Sequence, residues 1–407
     1  MHGNVIAYSA LLHVVFRGEQ PVARKASTVS RQHPEISPRL RRYLPALFTL
    51  VLFGLQGCAP PEPIHLGFVG GLSGRVADLG IDGRNGVMLA IELRNKAGGV
   101  KGRPVELLTE DDQQNADTAR KAVSALINHK VEAIIGPMTS TMATVVVPLV
   151  NQAQLVMVSP TVTTNELSGL DDYFFRVLSP TREFSRKSAE HHFQRMGMRR
   201  VAAIYDLRNK SYTESWLGDY RVAFVAAGGS LTDSVSFSSS DETHFGDLAR
   251  QLLGSKPDGI LILANSVDAA MLCQQVRKLN PTIPIATSEW AGTERLIELG
   301  GRAVEGIVIG QFLDRQSKQP SYVAFHRNYV AHYGKEPGFA ALTAYDAANV
   351  VMEGLEHRTS GQSLKQALLA RKTFAGAQSP VVFDAFGDTS RESFTTTVRD
   401  ASFVVLR

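Results

Sequence analysis

Cysteine is almost absent from this chain, with Cys58 and Cys273 the only two in 407 residues. If Cys58 is engaged elsewhere, Cys273 has no partner. No disulfide framework then holds the fold, and a sizeable apolar core must do so. Hydrophobic residues at 44% allow one. Strong charge of one sign is also missing. Taking away the seven basic and two acidic residues that precede Cys58 from totals of 43 and 39 leaves 36 and 37, so the remainder is close to neutral. It carries no basic stripe interleaved with aromatics, which argues against a nucleic-acid surface. After Cys58 no apolar run reaches the roughly 20 residues of a membrane-crossing helix. Catalytic signatures are missing too: there is no H-E-x-x-H, no G-x-S-x-G, no Walker-type loop and no paired Cys-x-x-Cys. The sequence nominates no catalytic residue, no metal site and no cofactor.

What is present begins with a leader. Arg39, Arg41 and Arg42 precede a 12-residue apolar run from Leu44 to Leu55, then Gly57 and Cys58. Positive flank, short hydrophobic stretch and small residues are the layout of a secretory signal. The cysteine at the cleavage point resembles the lipobox of bacterial lipoproteins, in which it becomes the lipidated first residue. That implies a leader and signal over 1–57 and a stiff Pro-rich tether over 58–63. It also implies a mature protein in the cell envelope, extracytoplasmic (periplasmic) and lipid-anchored to a membrane. The 38 residues before the basic patch exceed what such a leader needs.

The mature part alternates short apolar runs with amphipathic ones. Runs rich in β-branched residues at 64–69, 105–109, 131–135, 155–158, 201–205, 259–263, 283–286 and 304–309 read as strands. Most are continuous rather than alternating, as in strands buried on both faces of a parallel sheet. Between them Ala119, Ala122, Val123, Leu126 and Ile127 follow helical spacing, as do Phe245, Leu248, Ala249, Leu252 and Leu253. The alternation predicts an α/β fold with parallel sheets. About eight strands exceed one small lobe. Ser179-Pro180 marks one break, and the polar stretch 311–320 a second. Three helical patterns follow, at about 320–333, 340–357 and 362–371.

Some tempting features have plain readings. Gly67, Gly70, Gly71 and Gly74 do not fit G-x-G-x-x-G and read as a turn that admits a ligand or a second backbone. Adjacent His191 and His192 point about 100° apart on a helix and read as a solvated face. Asp111 and Asp112 read as turn caps before Asn115.

The strand ends carry the binding candidates, because α/β sheets bind ligands beyond the C-terminal ends of their strands. After 131–135 come Thr139, Ser140 and Thr141, opening a helix; after 155–158 come Ser159, Thr161 and Thr163. Hydroxyls with free N–H groups at a helix start suit a carboxylate. Later strand ends supply Tyr212, then Asn265 and Ser266, then Glu289 and Trp290. Glu289 facing the hydroxyls suits a zwitterion: it would take the ammonium while Ser140 and Thr163 hold the carboxylate.

Several stretches resemble the type I solute-binding proteins of ABC importers, in the branched-chain amino-acid-binding (Leu/Ile/Val-binding protein-like) branch. They are Gly71-Leu72-Ser73-Gly74 with Gly80, the run from Gly86 to Gly102, Ile135-Gly136-Pro137 with Ser140 and Pro148, and Val158-Ser159-Pro160 with Thr163 and Leu167. The resemblance implies two Rossmann-like lobes joined by a three-crossover hinge. Lobe one would be 62–178 plus 312–379, and lobe two 179–311 plus 380–407. It implies a small-molecule, amino-acid-like ligand and ABC permease subunits as partners. Ser140 and Thr163 would hold the ligand carboxylate, the main chain around Val162 and the Glu289 carboxylate its ammonium, and Tyr212 would cover it. An aromatic often found near Leu79, and another near Asn265, are absent here. Val162 replaces a smaller residue, and Thr139 stands where some members have a disulfide cysteine. The expected ligand is therefore an amino acid or related small zwitterion, with no branched chain specified. The same departures favour one alternative: a ligand-free lipoprotein of this fold that acts through protein partners, such as a cell-wall synthase.

Overall fold

The computed structural model describes residues 61–406. Cys58, its leader and the first half of the proposed tether, 58–60, lie outside the described residues. Two separate sheets form. The first has the order β2-β1-β3-β4-β5, from β1 (Ile64–Gly70), β2 (Val105–Asp111), β3 (Ala133–Ile135), β4 (Met157–Ser159) and β5 (Phe174–Arg176). All its pairings are parallel. The second has the order β14-β13-β10-β9-β8-β6-β7. Its parallel part is β6 (Arg200–Asp206), β7 (Ser230–Phe237), β8 (Gly259–Leu263), β9 (Ile285–Thr287) and β10 (Val308–Gln311). Two C-terminal strands, β13 (Phe394–Arg399) and β14 (Ser402–Val405), add to it antiparallel. A small hairpin of β11 (Thr373–Phe374) and β12 (Val381–Val382) stands apart.

The central strands are fully buried, β3 and β8 along their whole length. That is why they read as unbroken apolar runs. Helices cover both faces. On the first sheet, α2 (Ala116–Asn128) and α3 (Ser140–Ala153) lie on one side, packing Val123, Leu126, Val146 and Val150 against Val69 and Phe174. The other side takes α1 (Ala77–Lys96) and the long α10 (Phe339–His357), which pack along each other. Close approach at the start of α1 depends on Gly80, where a Cβ would stand 2.0 Å from the carbonyl oxygen of Gly71. The glycine-rich turn thus admits a second backbone.

On the second sheet α4 (Thr181–Gln194) and α5 (Lys210–Ala226) cover one face. The other carries α6 (Phe245–Gly254), α7 (Ser266–Leu279) and α8 (Glu294–Gly300). Along α5 the rings of Trp216, Tyr220 and Phe224 stack at successive four-residue steps, with centroids 5.3 and 5.1 Å apart. His192 departs from the solvated face expected of it. It is buried, its Nδ1 lies 3.1 Å from the Tyr220 hydroxyl, and burial drives its pKa down to about 3. Asp111 and Asp112 do cap the turn: their carboxylates accept from the amides of Gln113 and Gln114.

The chain crosses between the sheets three times: after β5, after β10 on the way to α9 (Pro320–Tyr333) and α10, and between β12 and β13. Helix α11 (Leu364–Arg371) precedes the last crossing. Arg391 laces these crossings together. Its guanidinium donates to Val177 O at 3.2 Å, Asp346 Oδ2 at 2.8 Å and Ser379 O at 2.8 Å. A further link joins Asp314 to Gln378, whose side-chain oxygen accepts from the Asp314 amide at 3.1 Å. Two lobes on a three-strand hinge leave a cleft where the strand ends of both sheets face each other.

Candidate ligand-binding cleft

The cleft cavity holds about 330 Å³ of space, its mouth included. Thr139, Ser140, Thr161 and Thr163 line it from the first lobe; Asn209, Tyr212, Glu289 and Trp290 line it from the second. Leu79, Met138, Phe312 and Phe339 supply its apolar surface.

The first-lobe wall is built from a helix start and the turn beside it. Thr139 is the N-cap residue of α3, but its side chain makes no capping bond. Thr163 lies four residues past β4, and its amide donates to Ser140 Oγ at 3.4 Å. The hydroxyls of Thr139 and Thr163 have no hydrogen-bond partner among the described residues although both are buried. A buried, unsatisfied hydroxyl costs about 1–3 kcal/mol. Neutral donors beside the positive end of a helix favour an anion.

The second-lobe wall centres on Glu289. It opens a 3-10 turn just past β9 and is 2% exposed. Its Oε2 accepts from the Tyr212 hydroxyl at 2.8 Å and from Trp216 Nε1 at 3.0 Å. Its Oε1 has no partner among the described residues. The carboxylate fits there because β10 carries glycine: a Cβ on Gly310 would stand 2.5 Å from Oε1. Burial lifts the Glu289 pKa to about 7, and its own backbone amide with the Tyr212 and Trp216 bonds offsets only part of that. Burial, then the facing carboxylate, holds the Tyr212 pKa well above its ordinary value, so the phenol stays a neutral donor. Trp290 packs edge-on against Tyr212 at 5.9 Å and leaves its buried Nε1 unpaired.

Four of the six residues singled out for ligand binding, Ser140, Thr163, Tyr212 and Glu289, line this cavity. Two do not. The Val162 side chain packs into the core of the first sheet and its amide donates to Ser159 Oγ at 3.1 Å; the expectation concerned the main chain there, and the preceding Thr161 lines the cavity. Asn265 is spent on its own helix: Oδ1 caps the Asp268 amide at 3.0 Å and Nδ2 donates to Asp268 Oδ2 at 2.8 Å. Phe312 and Phe339 were not anticipated. They arrive from a crossing and from the start of α10, where no strand-end rule looks. No cluster of three or more metal-ligating side chains occurs among the described residues. No helix among them is long and apolar enough to cross a membrane.

A two-lobed α/β architecture with a polar interlobe cleft defines a class of binding proteins, and sequence comparison agrees. Residues 63–402 match the family described as Periplasmic binding protein, and the chain belongs to it. Among its relatives is the Leu/Ile/Val-binding protein BraC3 of Rhizobium johnstonii, 24% identical over 348 residues, covering 84% of this chain and 93% of that one. The leucine-binding protein LivK of Thermotoga maritima superposes with a TM-score of 0.78 at 24% identity, covering 84% of this chain and 98% of that one. A solute-binding protein of R. palustris, solved in complex with benzoate, gives 0.77 at 18% identity over 85% of this chain and 96% of that one. At these identities the solved structures establish the fold alone. The benzoate complex demonstrates that the fold itself does not choose an amino acid.

Proposed function

We propose that this chain is the extracytoplasmic substrate-binding subunit of an ABC importer. It is tethered to the membrane through a lipid on Cys58 and captures an amino acid or related small zwitterion in the interlobe cleft. Lobe one is taken as 62–178 with 312–379, and lobe two as 179–311 with 380–407. The observation that carries the reading is the pairing of opposite chemistries across one small cavity. A lone, buried carboxylate oxygen, Glu289 Oε1, lies on one wall; unpaired hydroxyls at a helix start lie on the other. An ammonium and a carboxylate on one carbon would satisfy both walls at once. Relatives named for leucine, isoleucine and valine binding support an amino acid as the class. The lining by Leu79, Met138, Phe312 and Phe339 favours an apolar side chain. The role makes and breaks no bond; capture is closure of the lobes around the guest.

The reading that the protein acts through partners without a ligand is less well supported. Unsatisfied polar atoms converging on a cleft serve no purpose in it. A calorimetric and thermal-shift panel of the L-amino acids, their amides, and small carboxylates including benzoate separates these readings. Binding by amino acids but not by the matching carboxylates is expected. Tight binding of a carboxylate without an amine would overturn the role given to Glu289. No binding by any member of the panel would return the partner-protein reading.

A further inference from the structure

A second polar cluster bridges the lobes without lining the cavity. On the first lobe it comprises Arg75, in the 3-10 turn Gly74–Val76, and Asp78, in the first turn of α1. On the second it comprises the loop before α6, the start of α7 and the residue before α8. Arg75 Nη1 donates to Asp268 Oδ1 at 2.7 Å, while Nη2 donates to Ser240 O at 2.8 Å and to Asp241 Oδ1 at 3.0 Å. Every hydrogen-bond acceptor of this guanidinium among the described residues therefore belongs to the opposite lobe. In return Asp78 Oδ2 accepts from Ser266 Oγ at 2.6 Å and from Thr293 Oγ1 at 2.5 Å. The receiving side is built in advance. Asn265, the N-cap of α7, holds Asp268 by two hydrogen bonds, which leaves Oδ1 for the arginine, and the Asp268 side chain is 0% exposed.

We propose that Arg75 and Asp78 form a latch that holds the two lobes closed, so that closure is driven in part by the chain itself and not only by the guest. The contacts are charge-assisted and span two bodies joined by a hinge. Opening the cleft must break all five. A second set of cross-lobe bonds, Asn209 Oδ1 from the Thr141 amide and Thr141 Oγ1 from the Ser211 amide, is neutral and sits between α3 and the start of α5. The Arg75 cluster is thus a part of closure that salt and charge substitution can reach, alongside the Arg315–Glu294 ion pair and the bond from Asn165 Nδ2 to Asp219 Oδ2 at 2.6 Å. Because none of its members lines the cavity, loosening it leaves every ligand contact in place. It acts only on how often the binding-competent closed form is populated, and apparent affinity scales with that fraction.

The latch is testable with no ligand, so its outcome does not depend on the nature of the guest. Spin labels are placed through an unnatural amino acid at Val222 on α5 and Val323 on α9, exposed 74% and 50%, in the full chain. Pulsed dipolar distances are then recorded for the ligand-free protein, Arg75→Gln, Arg75→Lys and Asp78→Asn. Folding of each is checked by circular dichroism. The parent is expected to show a substantial closed-distance population. Arg75→Gln should reduce it about threefold to tenfold, and Asp78→Asn should act in the same direction. Arg75→Lys should retain part, since it keeps the charge but loses the fork that reaches several oxygens. Salt at about 1 M, where screening acts within roughly 3 Å, should open the parent more than Arg75→Gln. Identical distance distributions in the parent, Arg75→Gln and Asp78→Asn would overturn the latch, as would a ligand-free parent with no closed population.

Discussion

The two walls of the cleft follow the same placement rule with opposite strategies. Both stand just past the C-terminal ends of parallel strands. In the proposed binding mode the first-lobe wall spreads its affinity over several neutral donors: the hydroxyls of Thr139, Ser140 and Thr163 and the start of α3. The second-lobe wall concentrates it in one carboxylate. Two neutral donors, Tyr212 and Trp216, fix its Oε2, and glycine at 310 leaves room for Oε1. A distributed wall tolerates single losses, and a concentrated one does not. The difference also sets what each wall does in the ligand-free protein. Unpaired hydroxyls cost a little each, whereas a buried lone carboxylate is costly enough to hold on to its proton until about pH 7.

The sharpest way to break the asymmetry is Glu289→Gln. It keeps shape and the Tyr212 contact while removing the charge. An ammonium left facing a neutral amide in a buried site loses on the order of 3–5 kcal/mol. Affinity for an amino acid should therefore fall by roughly two to nearly four orders of magnitude. The unfolding temperature at neutral pH should hold or rise, because the lone buried charge is gone. Calorimetry and thermal unfolding of the same samples check both halves. Undiminished affinity would mean that the ammonium sits elsewhere.

The proton on Glu289 gives the next largest effect. Its folded pKa of about 7 lies above the ordinary 4.5. Between those values the native protein holds a proton that the unfolded chain releases. The stability contributed by this group is thus full below about pH 4.5 and is lost as pH rises through about 7, on the order of 3 kcal/mol in all. Asp112 and Asp206, both raised to about 6 by burial, act in the same sense. The difference between the protein and its Glu289→Gln variant isolates the one group. Ligand affinity runs the other way, because an ammonium requires the ionised carboxylate. Well below pH 7 it should weaken by about tenfold per unit, or roughly 15-fold in all from pH 7, where half the carboxylate is ionised, to pH 5.5. Titrations in two buffers of different ionisation enthalpy measure the released proton. A flat profile would mean that the carboxylate is already ionised in the ligand-free cleft.

Much of this arrangement was legible in the sequence, for physical reasons that also explain the failures. Strands buried on both faces, such as Gly259–Leu263, declare themselves as unbroken apolar runs. The edge strand Ser230–Phe237 is half-exposed and reads Ser-Leu-Thr-Asp-Ser-Val-Ser-Phe, which no such run reveals. The Thr-rich β13 was hidden in the same way. The helix near 320–333 was legible from one apolar side, Tyr322, Phe325 and Tyr329, and the one near 340–357 from a long apolar run that is buried nearly all round. In the cleft, the strand-end rule located Ser140, Thr163, Tyr212 and Glu289 but could not orient a side chain within a turn. Along the stretch after β4, one residue separates Thr161, which faces the cavity, from Val162, which faces the core. Asn265 obeys the placement rule yet turns back to cap α7, where it supports Asp268 rather than a guest. That bonding with Asp268 is a local helix-start pattern three residues apart, whereas the use of Asp268 by Arg75, 193 positions away, has no local sign.

The smallest effect should come from the distributed wall. Thr163→Val is close to isosteric and removes one buried donor while the Thr163 amide keeps its bond to Ser140 Oγ. A ligand carboxylate that loses one neutral donor among several should lose about 1–1.5 kcal/mol, or roughly tenfold in affinity. The ligand-free protein should gain stability by up to about 1 kcal/mol, since an unpaired hydroxyl is removed. Opposite signs for binding and for stability are what a site residue produces, whereas a packing residue would lose both. A loss as large as that of Glu289→Gln would show that the first-lobe wall is as concentrated as the second, with Thr163 as its single anchor, and the contrast between the walls would collapse.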